Sequence, residues 1–244
     1  MGKKRLDLIL VEQDLAPTRQ KAQGLIIAGQ VTVNGKRVDK AGAPVNDDAL
    51  IEITGKSSQF VSRGGDKINP AFDYFPLNIQ GAVCLDLGAS TGGFTDCMLK
   101  RGATLVYAVD VGHNQLDFRL REDLRVRVME KTHAKDLPGI VFDPRPSFAT
   151  VDVSFIGIRK VLPYLLEVLT PRRVLALVKP QFELGPEYVS TGGVVKEKKY
   201  QDLAVQLVCD FASQLGLKCR GVFPSPLRGE KKGNQEYFVL IENE

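Results

Sequence analysis

The stretch Leu85-Asp86-Leu87-Gly88-Ala89-Ser90-Thr91-Gly92-Gly93-Phe94-Thr95-Asp96 decides the fold of the larger part of this chain. The apolar run 82–87 has the length of a buried strand, and residues 94–100 can form a helix after the turn. Glycines let a backbone turn tightly and approach a ligand, as in loops that bind nucleotide-type cofactors. The spacing is not G-x-G-x-x-G, and no Gly-Lys-Ser/Thr follows, as in loops that bind triphosphates. The loop is therefore predicted to bind a cofactor, and its glycines need not contact phosphates.

A second apolar strand, 105–109, ends at Asp110, about twenty residues beyond the glycines, where a carboxylate can accept hydrogen bonds from both hydroxyls of a ribose. Glycine loop and acid together indicate an adenosine cofactor. The missing phosphate signature favours S-adenosylmethionine, with its amino-acid tail over Asp86 and the turn. The alternative is an ordinary strand-turn-helix with solvated acids at the strand ends. The residues predicted to bind the cofactor from this reasoning are Asp86, Gly88, Ala89, Ser90, Gly92, Gly93, Phe94 and Asp110.

The composition leaves several classes of protein open and argues against others. The chain has 244 residues and a formal net charge of +4, with four cysteines and two histidines. This length allows one domain or a small one joined to a larger one, and the charge permits a polyanionic partner without requiring one. Four cysteines without a C-x-x-C pair indicate neither a disulfide framework nor a metal site. We therefore expect reduced cysteines, no metal and a cytosolic protein.

The first residues resemble a targeting signal only superficially. Residues 6–11 are apolar and follow three basic residues, but Asp7, Glu12 and Asp14 interrupt the segment, which is too short for a signal peptide. No apolar run approaches the roughly 20 residues of a membrane span. The prediction is a soluble protein with cytoplasmic localisation and no membrane partner.

Residues 1–54 have the pattern of a small α+β domain. An apolar face predicts a short helix from Leu6 to about Leu15, and Thr18 is expected to cap a second helix that closes at Gly29. Asn34-Gly35 between two β-rich runs is a strong hairpin signal, and residues 50–53 add a strand. The polar residues 55–61 are predicted to be a linker, and residues 62–244 to form the larger domain.

This N-terminal pattern resembles the S4 RNA-binding domain of ribosomal proteins and RNA-modifying enzymes over residues 5–53. Residues 1–60 contain nine Lys/Arg and seven Asp/Glu. With charges so nearly balanced, RNA binding requires the basic side chains to cluster in space. The alternative is a solvated basic rim on a protein-binding module. The residues predicted to bind RNA in this domain are Arg5, Arg19, Lys21, Lys36 and Arg37.

Strands and helices alternate through the rest of the chain. This repetition predicts an α/β fold with a mostly parallel sheet, helices on both faces, and a ligand site at the carboxyl ends of the strands. Asp152 ends the predicted strand 148–153, Lys179 ends the strand 174–178, and Glu236 begins the last strand. Lys67 follows a glycine turn at the start of a helix that is expected to begin near Asp66. All four are predicted to point into the crevice that holds the glycine loop.

Five motifs together are similar to the TlyA, or haemolysin A, family of ribosomal RNA 2′-O-methyltransferases. They are Ser62-Arg63-Gly64-Gly65-Asp66-Lys67, the loop Asp86 to Asp96, Val151-Asp152-Val153-Ser154-Phe155, Val178-Lys179-Pro180-Gln181-Phe182-Glu183 and Asn234-Gln235-Glu236-Tyr237-Phe238. The resemblance implies an S4 domain joined to a catalytic domain of the FtsJ (RrmJ) type. That domain is expected to have the Rossmann-like methyltransferase fold with a seven-stranded sheet.

The same resemblance implies the site and the substrate. A Lys-Asp-Lys-Glu tetrad falls on Lys67, Asp152, Lys179 and Glu236. The implied partner is ribosomal RNA or a ribosomal subunit, and the implied target is a cytidine in 16S rRNA, 23S rRNA or both. His133 stands where related enzymes contact adenine, although family members often have Asn there. Two residues of the larger domain, Arg63 and Arg228, complete the predicted RNA-binding set.

These residue types suit methyl transfer to a ribose hydroxyl. The hydroxyl is a weak acid, so it must be aligned with the methyl group and lose its proton as the bond forms. Lys179 is predicted to be the base, because partial burial and the nearby charge of Lys67 favour the neutral amine. Asp152 and Glu236 favour the ammonium form and are assigned to orientation. Lys179 is therefore either a true base or an electrostatic guide; the alternative reading is that the four residues form separate surface ion pairs.

Two other functions are alternatives to this one. The family name suggests a membrane-lytic haemolysin, but the sequence has no long apolar segment and no strongly amphipathic basic helix to support that function. A non-catalytic RNA-binding factor of ribosome assembly would keep the cofactor fold, but the complete tetrad argues against it. The sequence leaves monomer and homodimer equally open.

Overall fold

The computed structural model describes residues 2–27, 29–54, 58–228 and 233–243. The chain divides into two compact units, Met1–Ser57 and Ser58–Glu244. The division falls inside the predicted linker 55–61, of which residues 55–57 lie outside the described part of the chain. Among the described residues, no helix is long and apolar enough to cross a membrane.

The first unit contains two helices and two small antiparallel sheets. Its described elements are β1 (Lys3–Arg5), α1 (Leu6–Glu12), α2 (Arg19–Ile27), β2 (Val31–Val33), β3 (Lys36–Arg37), β4 (Pro44–Asn46) and β5 (Ile51–Ile53). Strand β1 pairs with β4, and β2 lies between β3 and β5. One core includes Leu6, Leu10 and Ile26, all fully buried.

Local chemistry explains the boundaries of these elements. The Thr18 hydroxyl accepts a hydrogen bond from the Lys21 backbone N–H at 3.2 Å, so the predicted cap of the second helix is confirmed. Asn34 and Gly35 have φ values of 50° and 73°, as a tight hairpin turn requires. Helix α1 ends at Glu12, earlier than the predicted end near Leu15, because Asp14 adopts a left-handed φ of 56°.

The second unit is built on a seven-stranded sheet. Its described strands are β6 (Val83–Leu87), β7 (Leu105–Val109), β8 (Val126–Met129), β9 (Phe148–Val151), β10 (Arg173–Val178), β11 (Lys218–Pro224) and β12 (Tyr237–Glu242). Their order is β11-β12-β10-β9-β6-β7-β8. Strand β12 is antiparallel to both neighbours, and the other pairs are parallel. The predicted mostly parallel sheet is confirmed.

Helices cover both faces of this sheet. The described α-helices are α3 (Arg63–Tyr74), α4 (Gly93–Lys100), α5 (Phe118–Arg121), α6 (Ile158–Val168), α7 (Pro180–Glu183) and α8 (Lys198–Gln214). Side chains alternate along β6, so that Leu85 joins a core with α6 and α8 while Cys84 joins a second core with α3 and α4. Each fully buried leucine in these cores contributes about 1.5–3 kcal/mol.

The cysteines depart from the sequence prediction. Cys209 in α8 and Cys219 in β11 form a disulfide, with their Cα atoms 5.6 Å apart. The expectation that all cysteines are reduced is therefore wrong for this pair. The chain reverses between α8 and β11 through Gly216, which has a φ of 74°, and this reversal brings together two cysteines whose spacing carries no recognised motif. Cys84 and Cys97 are free and buried.

Candidate active site

The glycine loop passes directly against the end of strand β9. Gly88 has a φ of 89°, and a Cβ atom added there would lie 2.4 Å from the carbonyl oxygen of Asp152. The Asp152 backbone N–H donates to the Leu87 carbonyl oxygen at 2.9 Å. The obstructing atoms belong to the backbone of Asp152 and Val153, which cannot rotate away as a side chain can. Only glycine therefore fits at position 88. The predicted cofactor loop and the predicted catalytic Asp152 are therefore in contact.

The other end of the loop touches the start of α3. A Cβ atom at Gly93 would lie 2.4 Å from the Ser62 hydroxyl oxygen and 2.7 Å from the Gly65 backbone nitrogen. The Asp96 carboxylate accepts a hydrogen bond from the Val61 backbone N–H at 2.8 Å. Helix α3, which carries Lys67, is thus held on the loop. Helix α3 begins at Arg63, three residues before the predicted start near Asp66.

Asp86 is fully buried below the loop. Its carboxylate accepts hydrogen bonds from the hydroxyls of Thr95 at 2.6 Å and Thr150 at 2.9 Å. Burial raises the pKa of Asp86 to about 6, against the opposing effect of these two hydroxyls. Each oxygen keeps one further acceptor site, so these bonds do not decide the contact with the cofactor tail, which stays a prediction. Within the protein, Asp86 ties β6 to α4 and β9.

Asp110 lies at the open edge of the loop. One carboxylate oxygen accepts from the Ser90 backbone N–H at 2.8 Å, and the other accepts from the Gly112 backbone N–H at 2.7 Å. Each oxygen keeps acceptor capacity for a ribose hydroxyl. Ser90 is exposed, and so is His133, whose backbone N–H donates to Asp136 at 3.2 Å. These residues lie at the carboxyl ends of β6, β7 and β8.

Two other predicted cofactor residues have buried side chains. Phe94 packs in the core, with its ring 6.0 Å from that of Phe238, and is not open to a ligand as predicted. Ala89 is buried as well. Gly92, with a φ of 94°, lies against Leu120. The side chains of Phe94 and Ala89 therefore support the loop from the core, and a cofactor contact at these two positions is left to their backbone as a prediction.

Lys67 and Glu236 form one ion pair. The Lys67 Nζ lies 2.9 Å from Glu236 Oε2, and the two side chains are 13% and 4% exposed. Lys67 lies in the first half of α3, whereas Glu236 immediately precedes β12, so the pair joins two elements far apart in sequence. Shielding from water strengthens the Coulomb attraction within this pair, while the cost of removing both charged groups from water offsets it.

Lys179 and Asp152 form a second ion pair. The Lys179 Nζ lies 2.6 Å from Asp152 Oδ1 and donates a hydrogen bond to the Ser154 hydroxyl oxygen at 3.0 Å. Lys179 directly follows β10, and its side chain is 10% exposed. Asp152 directly follows β9, which ends at Val151, two residues before the predicted end at position 153. Both residues therefore leave the sheet at the same edge.

The register of the sheet relates the two pairs. Val178 of β10 lies opposite Tyr237 of β12, so Lys179 and Glu236 are the next residues at the same edge. Among the described residues, no hydrogen bond or salt bridge joins one pair to the other. The pairs stand at the carboxyl edge of β9 and β10, next to the glycine loop. Two cations and two anions balance in charge there.

The sequence reasoning missed the roles of Ser154 and Phe155. The Ser154 hydroxyl oxygen accepts a hydrogen bond from Lys179 Nζ. Phe155 is 89% exposed and has a left-handed φ of 65°, and its ring lies 5.5 Å from that of Phe182. A bulky residue with positive φ is strained, and such strain clusters at functional sites. The Val-Asp-Val-Ser-Phe motif contained both residues, but its letters do not show that the phenylalanine faces solvent.

The basic residues of the first unit partly cluster. Arg5 and Arg19 both contact the Asp7 carboxylate, at 2.9 Å and 3.0 Å, and remain about half exposed. Asp7 is fully buried, and the hydrogen bonds from Arg5, Gln23 and Arg19 hold its pKa well below the usual range. Two of the predicted RNA-binding arginines are thus fixed side by side, with part of each guanidinium open to solvent.

The remaining predicted RNA-binding residues are exposed. Lys36 and Arg37 form β3, and the Arg37 guanidinium lies over Gly29, where it would have to move to admit a Cβ atom. Lys21 lies in α2. In the second unit, Arg63 starts α3 and Arg228 lies beyond β11. Neither Arg63 nor Arg228 takes part in the Lys67–Glu236 or the Lys179–Asp152 ion pair.

Comparison with known proteins defines the class that this fold and site represent. The FtsJ-like methyltransferase model matches residues 60–243, and the S4 domain model matches residues 4–51. The chain belongs to the FtsJ-like methyltransferase family, in the branch that includes an N-terminal S4 domain. The predicted family, the α/β fold and the methyltransferase class are confirmed, and the match supports the predicted cofactor, S-adenosylmethionine.

Three similar proteins show how this branch is named. The chain is 44% identical over 241 residues to YqxC of Bacillus subtilis, a proposed rRNA methyltransferase, covering 98% of this chain and 85% of YqxC. It is 41% identical over 242 residues to the 16S/23S rRNA (cytidine-2′-O)-methyltransferase TlyA of Mycobacterium tuberculosis, covering 98% and 90% of the two chains. A solved structure of a proposed hemolysin from Streptococcus thermophilus is 41% identical, with a TM-score of 0.78, and covers 100% and 89%.

Proposed function

We propose that this protein transfers a methyl group from S-adenosylmethionine to the 2′-hydroxyl of a cytidine in ribosomal RNA, in the 16S molecule, the 23S molecule or both. The observation that carries the proposal is the pair of shielded lysine-carboxylate contacts beside the glycine loop. The likeness to a protein named 16S/23S rRNA (cytidine-2′-O)-methyltransferase supports the substrate.

The residues around the loop fit the proposed cofactor. The loop is exposed at Ser90, and Asp110 beside it offers carboxylate oxygens for the ribose hydroxyls. Asp86 holds the loop from below and His133 stands at the open edge. When bound, S-adenosylmethionine supplies a methyl group activated by a sulfonium charge. The chain itself supplies a surface that fixes the direction of this group relative to Asp152, which Gly88 touches.

Lys179 is proposed as the base. A neutral amine has two N–H groups and one lone pair. Ser154 accepts one N–H at 3.0 Å, and Asp152 Oδ1, which lies 2.6 Å from Nζ without a hydrogen-bond partner among the described residues, is proposed to accept the other. The lone pair then has one direction left, which we assign to the proton of the 2′-hydroxyl. Ser154 is a positioning residue in this scheme, because it acts through Lys179. Base catalysis of this kind contributes about 10²–10⁴-fold to the rate.

Lys67 and Glu236 are proposed to act on the same oxygen electrostatically. As the hydroxyl loses its proton, negative charge grows on the oxygen, and a fixed ammonium group stabilises it. The Glu236 carboxylate holds Lys67 in place at 2.9 Å, with little exposure to solvent. The complete set of four residues is thus assigned one base, one charge stabiliser and two orienting carboxylates.

Phe155 is proposed to stack on the target base. Single RNA bases are commonly held on aromatic rings, and stacking contributes about 1–3 kcal/mol per base. Phe155 is almost fully exposed and follows Ser154 in the chain. Phe155→Ala is expected to raise the KM for RNA about 5- to 150-fold, the equivalent of this range. Phe155→Tyr is the conservative control, because it keeps the aromatic face.

The S4-like unit is proposed to supply affinity for the RNA. Arg5, Arg19, Lys21, Lys36 and Arg37 are exposed or half-exposed cations that can neutralise phosphates. Removing residues 1–57, the first unit, keeps the buried Phe60 in the core of the second unit. This deletion is expected to spare binding of the cofactor and to weaken RNA methylation severely. Unchanged methylation by the shortened protein would remove this assignment.

Methyl transfer from tritiated S-adenosylmethionine to purified ribosomal subunits tests the whole proposal, followed by mapping of the modified ribose. Lys179→Ala is expected to abolish transfer while cofactor affinity, measured by calorimetry, stays at the wild-type value. Lys218→Ala is the matched control, because Lys218 is an exposed lysine at the opposite edge of the sheet. Label on a base instead of a ribose, or full activity of Lys179→Ala, would refute the assignment.

A further inference from the structure

A groove separate from the two ion pairs runs between the first half of α8 and the strands β11 and β12. Its volume is about 830 Å³. We call it the α8 groove and define it by six of its lining residues: Lys196, Lys198, Gln201, Arg228, Gln235 and Tyr237. The sequence reasoning assigned a role to only one of these, Arg228.

The charged side chains that line the groove are mainly basic. Among the described lining residues, Lys196, Lys198 and Arg228 carry positive charge, and Asp202 is the one acid. Asp202 is already paired with Lys198. This leaves a net positive lining, with the amides of Gln201 and Gln235 beside it. The rest of the lining is largely apolar and includes Val194, Val205, Val222 and Pro224. Lys196 and Arg228 are therefore the groups through which the groove would bind a phosphate backbone.

Internal hydrogen bonds fix the walls of the groove. Asn234 is buried, accepts from the Val195 backbone N–H at 2.9 Å and donates to the Gly193 carbonyl oxygen at 2.8 Å. The Gln201 side-chain N–H donates to the Val195 carbonyl oxygen at 2.9 Å, and its oxygen accepts from the Tyr237 hydroxyl at 2.6 Å. The segment that carries Lys196 is therefore attached both to α8 and to the residues before β12.

The groove begins one residue from the proposed catalytic site. Gln235 and Tyr237 line it, and Glu236 between them pairs with Lys67. Successive side chains of an extended segment point to opposite sides. Tyr237 accordingly packs in the core shared with α8, whereas its neighbour Phe238 packs in the core shared with α3. An RNA strand whose target ribose lies at Glu236 can therefore enter the groove by passing over this edge of the sheet.

We propose that the α8 groove binds the phosphate backbone of the ribosomal RNA strand beside the target nucleotide. This rests on the proposed function and extends it, because it assigns a second RNA contact within the methyltransferase unit itself. Lys196 and Arg228 bind the phosphates, while Gln201 and Gln235 keep their hydrogen bonds within the protein and hold the wall in place. The contact positions the strand and carries no sequence information.

The test is direct binding of purified 16S and 23S rRNA to the full-length protein over a range of salt concentrations, read by filter binding. The double variant Lys196→Ala/Arg228→Ala is compared with the control Lys218→Ala/Arg172→Ala, whose residues are exposed at the opposite edge of the sheet. Each lost contact to single-stranded RNA is expected to reduce the slope of log K against log salt by about 0.7, and the pair to weaken binding about tenfold at 0.15 M salt. Cofactor affinity is expected to match the wild type in both variants.

A methylation assay run in parallel separates this proposal from the proposed function. If the enzyme methylates rRNA, the groove variant is expected to raise the KM for RNA about tenfold while kcat stays within about twofold of the wild type, since the lost contacts are phosphate contacts. Equal salt slopes and affinities for the groove variant and the control would overturn the groove assignment. Reduced RNA affinity of the groove variant without any methyl transfer by the wild type would instead keep the groove and reject the proposed reaction.

Discussion

Asp86→Asn tests whether the carboxylate below the glycine loop is as buried as the structure shows. The substitution keeps the size and one acceptor oxygen of the side chain and removes its charge. In the wild type, the carboxylate is enclosed by Thr95 and Thr150, and burial raises its pKa from 3.8 to about 6. In the variant, nothing at this position titrates.

The sign of the effect follows from linkage. A carboxyl whose pKa is raised by folding binds its proton more tightly in the folded state, so its stabilising contribution is complete below the unfolded pKa and is lost as pH rises through the folded pKa. A shift of about two units corresponds to roughly 3 kcal/mol, of which about 2 kcal/mol falls between pH 4.5 and 7.5. Relative to the wild type, Asp86→Asn should therefore gain about 2 kcal/mol across this range.

Denaturant unfolding of both proteins at several pH values measures this difference. At each pH, the free energy of unfolding of the wild type is subtracted from that of the variant. This difference, followed against pH, removes the contributions of all other titrating groups. Asp123→Asn is the control: hydrogen bonds from Arg125 lower the pKa of Asp123 below 3.8, so its contribution is essentially complete at pH 4.5 and above. The difference between this variant and the wild type should therefore stay nearly constant across the range. Parallel curves for Asp86→Asn and the wild type would show that the carboxylate is solvated and would refute its assignment as a buried tie.

Three further predictions follow from the site and the core. Ser154→Ala is expected to lower kcat by about 10- to 100-fold with unchanged cofactor affinity, because Lys179 loses one of its two acceptors, and Ser154→Thr should restore part of the rate in the same methyl-transfer assay. Gly88→Ala is expected to lose at least about 1–2 kcal/mol from its left-handed φ alone, with more from the Asp152 carbonyl, so a melting temperature equal to the wild type would contradict the close contact. Thiol titration of the unreduced, denatured protein is expected to count two thiols, since the structure pairs Cys209 with Cys219, and four thiols would show that this bond is absent.

Much of the fold and of the site follows from the order of elements along the chain. The carboxyl ends of parallel strands meet at one edge of a sheet, so residues that follow strands, such as Asp152 and Lys179, must lie near each other. The glycine loop after β6 identifies the same edge. For this reason the sequence predicted the neighbourhood of these residues without any knowledge of side-chain contacts.

Features that depend on packing were beyond the sequence. The sequence shows an acid at position 86 but not the two threonine hydroxyls that enclose it, since these come from α4 and β9. Phe94 and Phe155 have the same side chain, and only the tertiary structure buries the first and exposes the second. The disulfide depends on how α8 turns back onto β11. Each of these outcomes is decided by contacts between distant segments.

The contact between Gly88 and the Asp152 carbonyl has a consequence for anyone who wishes to redesign this protein. The proposed methyl-donor loop and the proposed acceptor residue Asp152 touch through backbone atoms, and such a contact cannot be relieved by turning a side chain. A change that widens the loop for a bulkier methyl-donor analogue is therefore expected to displace Asp152 and, through their ion pair, Lys179. Altered donor preference is better sought near Asp110, where the neighbouring Ser90 is exposed.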